Sequence, residues 1–537
     1  MSGCNRHFTF FPMKSLFSKY TVLASAALVL GSGCTKNFDE INTNPTTYSQ
    51  SSFNPNYVLT QTQLTYTGST DFAYETWRGN LIYASGIIQG MATVIGYWGG
   101  EKYRLNETYT AAYWERAYSE QVKPVTDLVA STDGKAEYKN LHQIARIMRA
   151  LVMERITDLY GDVPYSQAGQ GYYQGIITPK YDKQQDIYND LLKEVDEATA
   201  ALDPAADKPA GDVYYKGNIA QWQRLGNSLL LRMAMRLVKV DPDKAKLYAT
   251  KVQGKTMTSD ADNAYVTFDV AGGRATQSRN AQVLLGDGGQ EHYYVKWSKK
   301  FIDFLKDNND PRLSKIAVTQ LYLDPNSKNQ NAAYVTTAAV QKGQPNGYDL
   351  SGRAGIDISS APGFTTFPDY SSPNPNMIKR TGPTFILTYA ESELLLADAA
   401  QRFGLGSAAQ HYNAGVTAAM TYLSQYDPSM AVTPAEAATY LTAHPFSTAT
   451  ALEQINTQYW ALTNSMLDFY ESWSNWRRTG YPVLTPVNYP SNATGGQIPR
   501  RFPYPTSEIT SNPDNYNTAH SAVTGGDNLI GRVYWDK

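Results

Sequence analysis

The sequence predicts an all-α protein, a scaffold of paired helices from which long irregular loops project to form a ligand face. Three observations carry that expectation. Apolar residues recur at helical spacing through most of the chain, in stretches long enough for several turns. A region over about residues 255–382 interrupts them and is rich in Gly, Pro, Asn, Ser and aromatics. The composition is that of an ordinary globular protein, with 42% hydrophobic and 18% charged residues among 537.

The helices follow in order. Asn80 to Gly96 places Leu81, Ile82, Ile87, Ile88, Met91 and Val94 at helical spacing. Glu137 to Gly161 is stronger, with Leu141, Ile144, Met148, Leu151 and Ile156 on one stripe and Gly161 as a stop. A third begins at Asp182, read as an N-cap, and carries Ile187, Leu191, Leu192, Val195 and Leu202 inward. Asn218–Val240, Thr384–Gly404, Ser407–Tyr426 and Ala451–Gly480 complete the set. Several pair into units of roughly tetratricopeptide size, and Ala397, Ala399, Ala400, Ala408 and Ala409 supply small residues for close crossings. In the last helix, Leu467, Tyr470, Trp473 and Trp476 share a core-facing stripe. Arg477 and Arg478 fall in its final turn, and Gly480 and Pro482 end it.

The N-terminus reads as an export and anchoring signal. Lys14 and Lys19 precede an apolar run, Val22 to Leu30, which is too short to span a bilayer. Small residues then lead into Cys34, an arrangement that resembles a bacterial lipoprotein box in which that cysteine carries lipid. Met13 suits the start of such a signal better than Met1. The only other cysteine is Cys4, so a mature chain beginning at Cys34 has no disulfide and no cysteine-based catalysis or zinc site. The expected organisation is a leader over 1–33, a lipidated cysteine and polar tether over 34–56, and one domain over 57–537 with its loop-rich insertion at 255–382.

Catalytic patterns are hard to find. His142, His292, His411, His444 and His520 are scattered without metal-ligand spacing, and no nucleophile elbow or phosphate loop occurs. Carboxylate pairs such as Asp71 with Glu75, or Glu391 with Glu393, are more simply solvated or capping charges than glycosidase dyads. No enzyme activity, metal or cofactor is expected. A net charge of −2 gives no footprint for nucleic acid.

Forty tyrosines, against 17 Phe and 9 Trp, suit wet aromatic recognition surfaces, because a phenol joins an apolar face to a polar tip. Two glycine-flanked loops concentrate such groups. GYWGGEKYRLNETY offers Tyr97, Trp98, Tyr103, Arg104 and Asn106, either as an exposed platform or as a plug tucked into the core. GDGGQEHYYVKWSKKF offers Gln290, His292, Tyr293, Tyr294 and Trp297, although Trp297 lies close enough to a helix start to suit the core better. Phe364, Phe367 and Tyr370 form a third group. Flat rings with Asn, Gln and Arg beside them are the chemistry that meets a neutral sugar.

Nine segments in order give the chain a family likeness. They are FDEINTNP, LYGDVPYSQA, PKYDKQQDIYNDLLKEVDEA, DVYYKGNIAQWQRLGNSLLLRMAMRL, DPRL, TYAESELLLADAA, INTQYWAL, WSNWRRTGYP and IPRRFPYPTSE. The chain resembles the SusD/RagB-like surface lipoproteins, and its FDEINTNP and NSLLLRMAMR segments look most like the SusD-like subgroup. The resemblance implies a tetratricopeptide-containing helical fold, an outer-membrane location on a lipid anchor and a SusC-type TonB-dependent transporter as partner. It implies a captured glycan or oligosaccharide, with peptides as the alternative of the RagB branch and a transporter lid with little binding of its own as a further possibility.

Overall fold

The computed structural model describes residues 54–537, so the Cys34 lipidation site and the signal before it lie outside the described residues. Pro55–Lys537 pack as one unit, dominated by helix. In chain order the longer helices are α1 (Pro55–Tyr66), α2 (Thr76–Ser85, wound with π geometry), α3 (Glu107–Arg116), α4 (Lys123–Thr132) and α5 (Lys139–Tyr160). Next come α6 (Gln184–Ala201), α7 (Ile219–Arg236), α8 (Pro242–Val252), α9 (Lys299–Asp307) and α10 (Tyr389–Phe403). The last are α11 (Ala408–Thr421), α12 (Pro434–Ala443), α13 (Ala451–Ser465), α14 (Phe469–Thr479) and α15 (Pro513–Ala522). Neighbours in sequence pack on each other from α4 to α8, and again from α10 to α12, with α13 against that second block and α14 on α13. Contact of α7 with α10 joins the two rows.

Helix crossings are close where glycine removes a side chain. A Cβ on Gly226 would lie 2.1 Å from Thr199 Oγ1, and one on Gly415 would lie 2.8 Å from Leu394 Cγ, so α7 sits on α6 and α11 on α10 nearly backbone to side chain. Ala397, Ala399 and Ala400 are buried as expected of crossing residues, whereas Ala408 and Ala409 are half-exposed.

Four helix boundaries differ from those expected, each for a local reason. The chain leaves α2 early: Gln89 adopts a φ of 54°, and a Cβ on Gly90 would meet Phe469 at 2.6 Å. Its stripe residues Ile87, Ile88, Met91 and Val94 are still buried, but the chain turns after Ile87 and Met91 lies in a strand. Asp182 does not cap α6. It accepts the amides of Tyr165 and Ser166 at 3.3 and 2.7 Å from within a two-residue strand, while Asp162 accepts the Gln184 amide at 2.8 Å. Thr384–Leu387 form a strand paired with Ala264–Val266, and Thr388 then starts α10 with Glu391 in a reciprocal capping box. A short apolar run cannot be assigned to strand or helix from its periodicity alone. The expected helix over 451–480 breaks at Leu467, whose φ is 60°, and Asp468 recaps it as α14.

The 255–382 region holds short helices, α9 and strands of two or three residues, which tie its loops to the scaffold. Among the described residues, no helix is long and apolar enough to cross a membrane.

Beneath the loops runs a buried ionic network. Arg232 and Arg236, one turn apart on α7, reach Glu154 and Asp158 on α5 and Glu471 on α14, with Glu391 at 3.8 Å from Arg232. Burial pushes Glu391 up to about 8, against the pull of Arg232 and with help from Glu471. Its folded value lies above its ordinary 4.5, so the stability it contributes is full below that value and is lost as the pH rises toward 8. Glu391→Gln should therefore gain on the parent progressively between pH 5 and 8. The difference in melting temperature measures this, and a pH-independent difference would refute it.

Candidate functional site

The site is organised by a small antiparallel pairing, Met91–Ala92 against Lys296–Trp297, which brings both predicted loops to one place. After Ala92 the chain rises to Gly96, Tyr97 and Trp98 and then turns hard against α2. A Cβ on Gly100 would lie 2.4 Å from Ile82 O and Tyr83 Cα, so the backbone itself forms the contact. Glu101, fully buried, clamps the turn. It accepts from the Thr93 amide at 3.2 Å and from Asn346 Nδ2 at 2.8 Å, and pairs with Lys102 at 3.2 Å. Lys102 Nζ in turn donates to Thr93 O at 3.0 Å.

That turn sorts the predicted residues. Tyr97, at the tip, is 42% exposed, whereas Trp98 and Tyr103 are buried core residues at 2% and 0%. Trp98 is thus the loop plug rather than a platform, and Tyr103 Oη receives the Val487 amide at 3.2 Å. Arg104 and Asn106 are exposed, but Asn106 Oδ1 is engaged as the N-cap of α3. On the other loop Trp297 is fully buried and donates from Nε1 to Ile316 O at 3.0 Å, which removes it as a platform. Tyr293 is buried and Tyr294 half-buried. His292 is buried against Tyr322, and Gln290 is exposed.

The exposed ring of Tyr97 does not stand alone. It meets Trp77 edge to face at 6.2 Å, and Trp77 meets Phe72 in the same way at 5.0 Å. Arg274 stacks on Phe72 at 4.4 Å, and Arg78 lies 3.9 Å over Tyr74 and 5.4 Å from Trp77. Phe72 and Ala73 are both held at positive φ, 52° and 51°, in the segment that delivers Trp77. Sequence reasoning missed this stretch because Phe72 and Tyr74 precede α2, Trp77 lies in its first turn, and none of them has the glycine flanks used as the signal. A second cluster continues on the far side of Val94. There Tyr294 meets Phe367 at 4.8 Å, and Phe364 meets Phe367 at 5.6 Å, with Val94, Ile358 and Ala361 beneath. Tyr370 is buried, so only Phe364 and Phe367 of the third predicted group reach the surface.

Two ionisable groups under this face are unusual. Lys296 is buried beneath the Tyr293 ring with Ser372 Oγ as its hydrogen-bond partner at 2.8 Å, and burial lowers it to about 7. Glu291 is fully buried and accepts a short hydrogen bond from Tyr97 Oη. Burial raises its carboxyl, while burial and then Glu291 itself push the Tyr97 phenol far above its usual range. A groove of about 660 Å³ lies between α9, α11, α12 and α13, where Tyr412, Tyr440 and Trp460 are buried and Phe304 and His444 half-buried.

A helix-pair scaffold that holds a tyrosine–tryptophan edge on clamped loops suits the binding of a ligand. The chain belongs to the SusD-like family, whose model, described as starch-binding and associating with the outer membrane, matches residues 50–505. Proteins of this family are outer-membrane-associated binding proteins with a tetratricopeptide-like helical fold. A solved structure described as a chitin-binding protein is 33% identical, with a TM-score of 0.77 over 90% of this chain and all of that one. A Bacteroidetes SusD-like protein is 26% identical, with a TM-score of 0.76 and the same coverage. A chitin-binding SusD homologue from Flavobacterium johnsoniae, 23% identical at a TM-score of 0.71, covers 90% of this chain and 98% of its own and shares the fold. Among curated protein sequences no relative matches this chain.

Proposed function

We propose that this protein is a glycan receptor of the outer-membrane surface, tethered by lipid on Cys34. It captures an oligosaccharide on the Tyr97–Trp77 face and passes it to a SusC-type TonB-dependent transporter. The observation that carries the reading is the exposed Tyr97 ring, set edge to face on Trp77 and fixed by a buried clamp. A rigid aromatic edge meets the C–H face of a sugar at little entropic cost, since neither ring has to be ordered on binding. The 33%-identical chitin-binding relative favours a chain of β-linked N-acetylglucosamine as the ligand class.

Titration calorimetry of the purified protein against an N-acetylglucosamine hexamer and a malto-oligosaccharide tests this. The parent should bind the first. Tyr97→Ala should weaken binding about ten-fold, the loss of one aromatic contact of roughly 1–1.5 kcal/mol. Binding of neither sugar would overturn the reading.

A further inference from the structure

The groove between α9, α11, α12 and α13 takes no part in the Tyr97 face, and no residue of the Tyr97–Trp77 edge lines it. Its volume of about 660 Å³ falls in the range of small-molecule sites, roughly 300–1,000 Å³. It is joined to the clamped loops through the core: Trp297 meets Phe301 at 5.1 Å, and Phe301 and Phe304 meet Trp460 at 5.3 and 5.8 Å.

Charge in the groove is lopsided. Asp303 and Asp307 stand one turn apart on α9 and Glu453 joins them from α13, while Lys300 is the single basic chain in the lining apart from His444. Asp303 pairs with Lys299, but Asp307 and Glu453 are exposed and have no ion-pair partner among the described residues. Like charges one helical turn apart repel, and a bound cation would relieve them. The groove also holds donors that the fold does not use. Tyr412 is 2% exposed, yet its Oη has no hydrogen-bond partner among the described residues and is not sealed off, so it is the accessible tip of a buried ring. Tyr440 Oη accepts from Gln458 Nε2 at 2.8 Å, which leaves its own proton without an acceptor. Burial raises both phenols, Tyr440 to about 12, so each keeps its proton. Half-buried Phe304 and exposed Val483 supply apolar wall.

Resting on the glycan reading above, we infer that this groove is a second sugar site, one that takes units carrying a protonated amine, of the glucosamine class. The ammonium donates to the Asp307 and Glu453 carboxylates in charge-assisted hydrogen bonds. Tyr412 and Tyr440 donate to hydroxyl or ring oxygens of the same unit, and its C–H face lies on the apolar wall. An acetylated amine carries no charge and leaves both carboxylates without a counter-ion. The two sites thus divide one polymer between them, neutral units on the Tyr97–Trp77 edge and charged units in the groove.

Calorimetry on the full protein at pH 6 with three probes, glucosamine hexamer, N-acetylglucosamine hexamer and a lysine hexapeptide, tests the groove. Asp307→Asn combined with Glu453→Gln removes the two free charges, and Tyr412→Phe removes only the unpaired hydroxyl. Both variants change groups without a partner in the fold, so melting temperatures should stay close to the parent's. The double variant should weaken glucosamine hexamer about ten-fold or more, and Tyr412→Phe several-fold, with N-acetylglucosamine hexamer bound as by the parent. Raising the salt concentration should weaken the first probe and spare the second. A parent that does not bind glucosamine hexamer, or a double variant that binds it as the parent does, would overturn the groove site while leaving the Tyr97 reading intact. Equal loss of both hexamers in the double variant would overturn the assignment to a charged amine. A lysine hexapeptide bound as tightly, and lost in the same variants, would overturn the sugar class. Loss of N-acetylglucosamine binding alone from the parent would sink the Tyr97 reading and spare the groove.

Discussion

Glu471→Ala is expected to cost about 3–5 kcal/mol of folding stability, the toll of breaking one partner out of a buried ionic network. Glu471 opens α14 and is buried. It accepts from Arg236 Nη2 at 2.5 Å and from Tyr459 Oη at 2.8 Å, and stands 3.9 Å from Arg232. Burial alone would raise its carboxyl, but Arg236 and Arg232 outweigh that and bring it down to about 2. Both arginines already have one Nη1 without a partner, so neither has a spare acceptor to turn to when the carboxylate goes. The folded value lies below the ordinary 4.5, so the contribution of Glu471 is present above that value and is lost as the pH falls toward 2. Denaturant unfolding at pH 7 and at pH 3.5 checks both halves: a wide gap between parent and variant at neutral pH, and a narrower one in acid. Equal stabilities at pH 7 would show that the network is not what holds α5, α7 and α14 together.

That network also explains why the scaffold was legible in the sequence and its cement was not. Apolar stripes such as Leu141, Ile144 and Met148 announce their own burial, because period and hydrophobicity suffice to define a core face. Arg477 and Arg478 announced a helix C-terminus, and Gly480 does close α14 in the left-handed conformation. Yet both arginines are completely buried. Arg477 donates to Asp158 O at 2.7 Å and Arg478 pairs with Asp398 at 2.8 Å, partners more than seventy residues away in sequence. A charge in a sequence reads as a solvated face because its partner is invisible until the fold supplies it. As a solvated or capping charge, the sequence's two readings of Glu391, only the cap holds, and its buried place among Arg232, Tyr459 and Glu471 has no local signature. The loop region followed the same rule. Glycines marked where the 96–100 loop turns, whereas which of its rings faces water is set by Glu101, Asn346 and Thr93, which no spacing connects.

Trp98→Ala brings that distinction to a single pair of neighbours. Its ring belongs to the main core cluster at 2% exposure, so truncation removes a large apolar body and leaves a cavity, for a loss of about 3–5 kcal/mol. The adjacent Tyr97, 42% exposed, should lose less stability, that of its hydrogen bond to the buried Glu291, and more affinity. The clamp makes this alternation strict. Gly99 and Gly100 run against α2, and Glu101 is pinned to Thr93 and Asn346, so the loop has no freedom to roll and exchange one ring for the other. Thermal unfolding and calorimetry on both variants form the comparison. Below its lowered melting temperature, Trp98→Ala should still bind sugar to the extent that Tyr97 keeps its place on Trp77. A Trp98→Ala protein with parental stability and no affinity would mean that Trp98, not Tyr97, is the ring that meets the ligand.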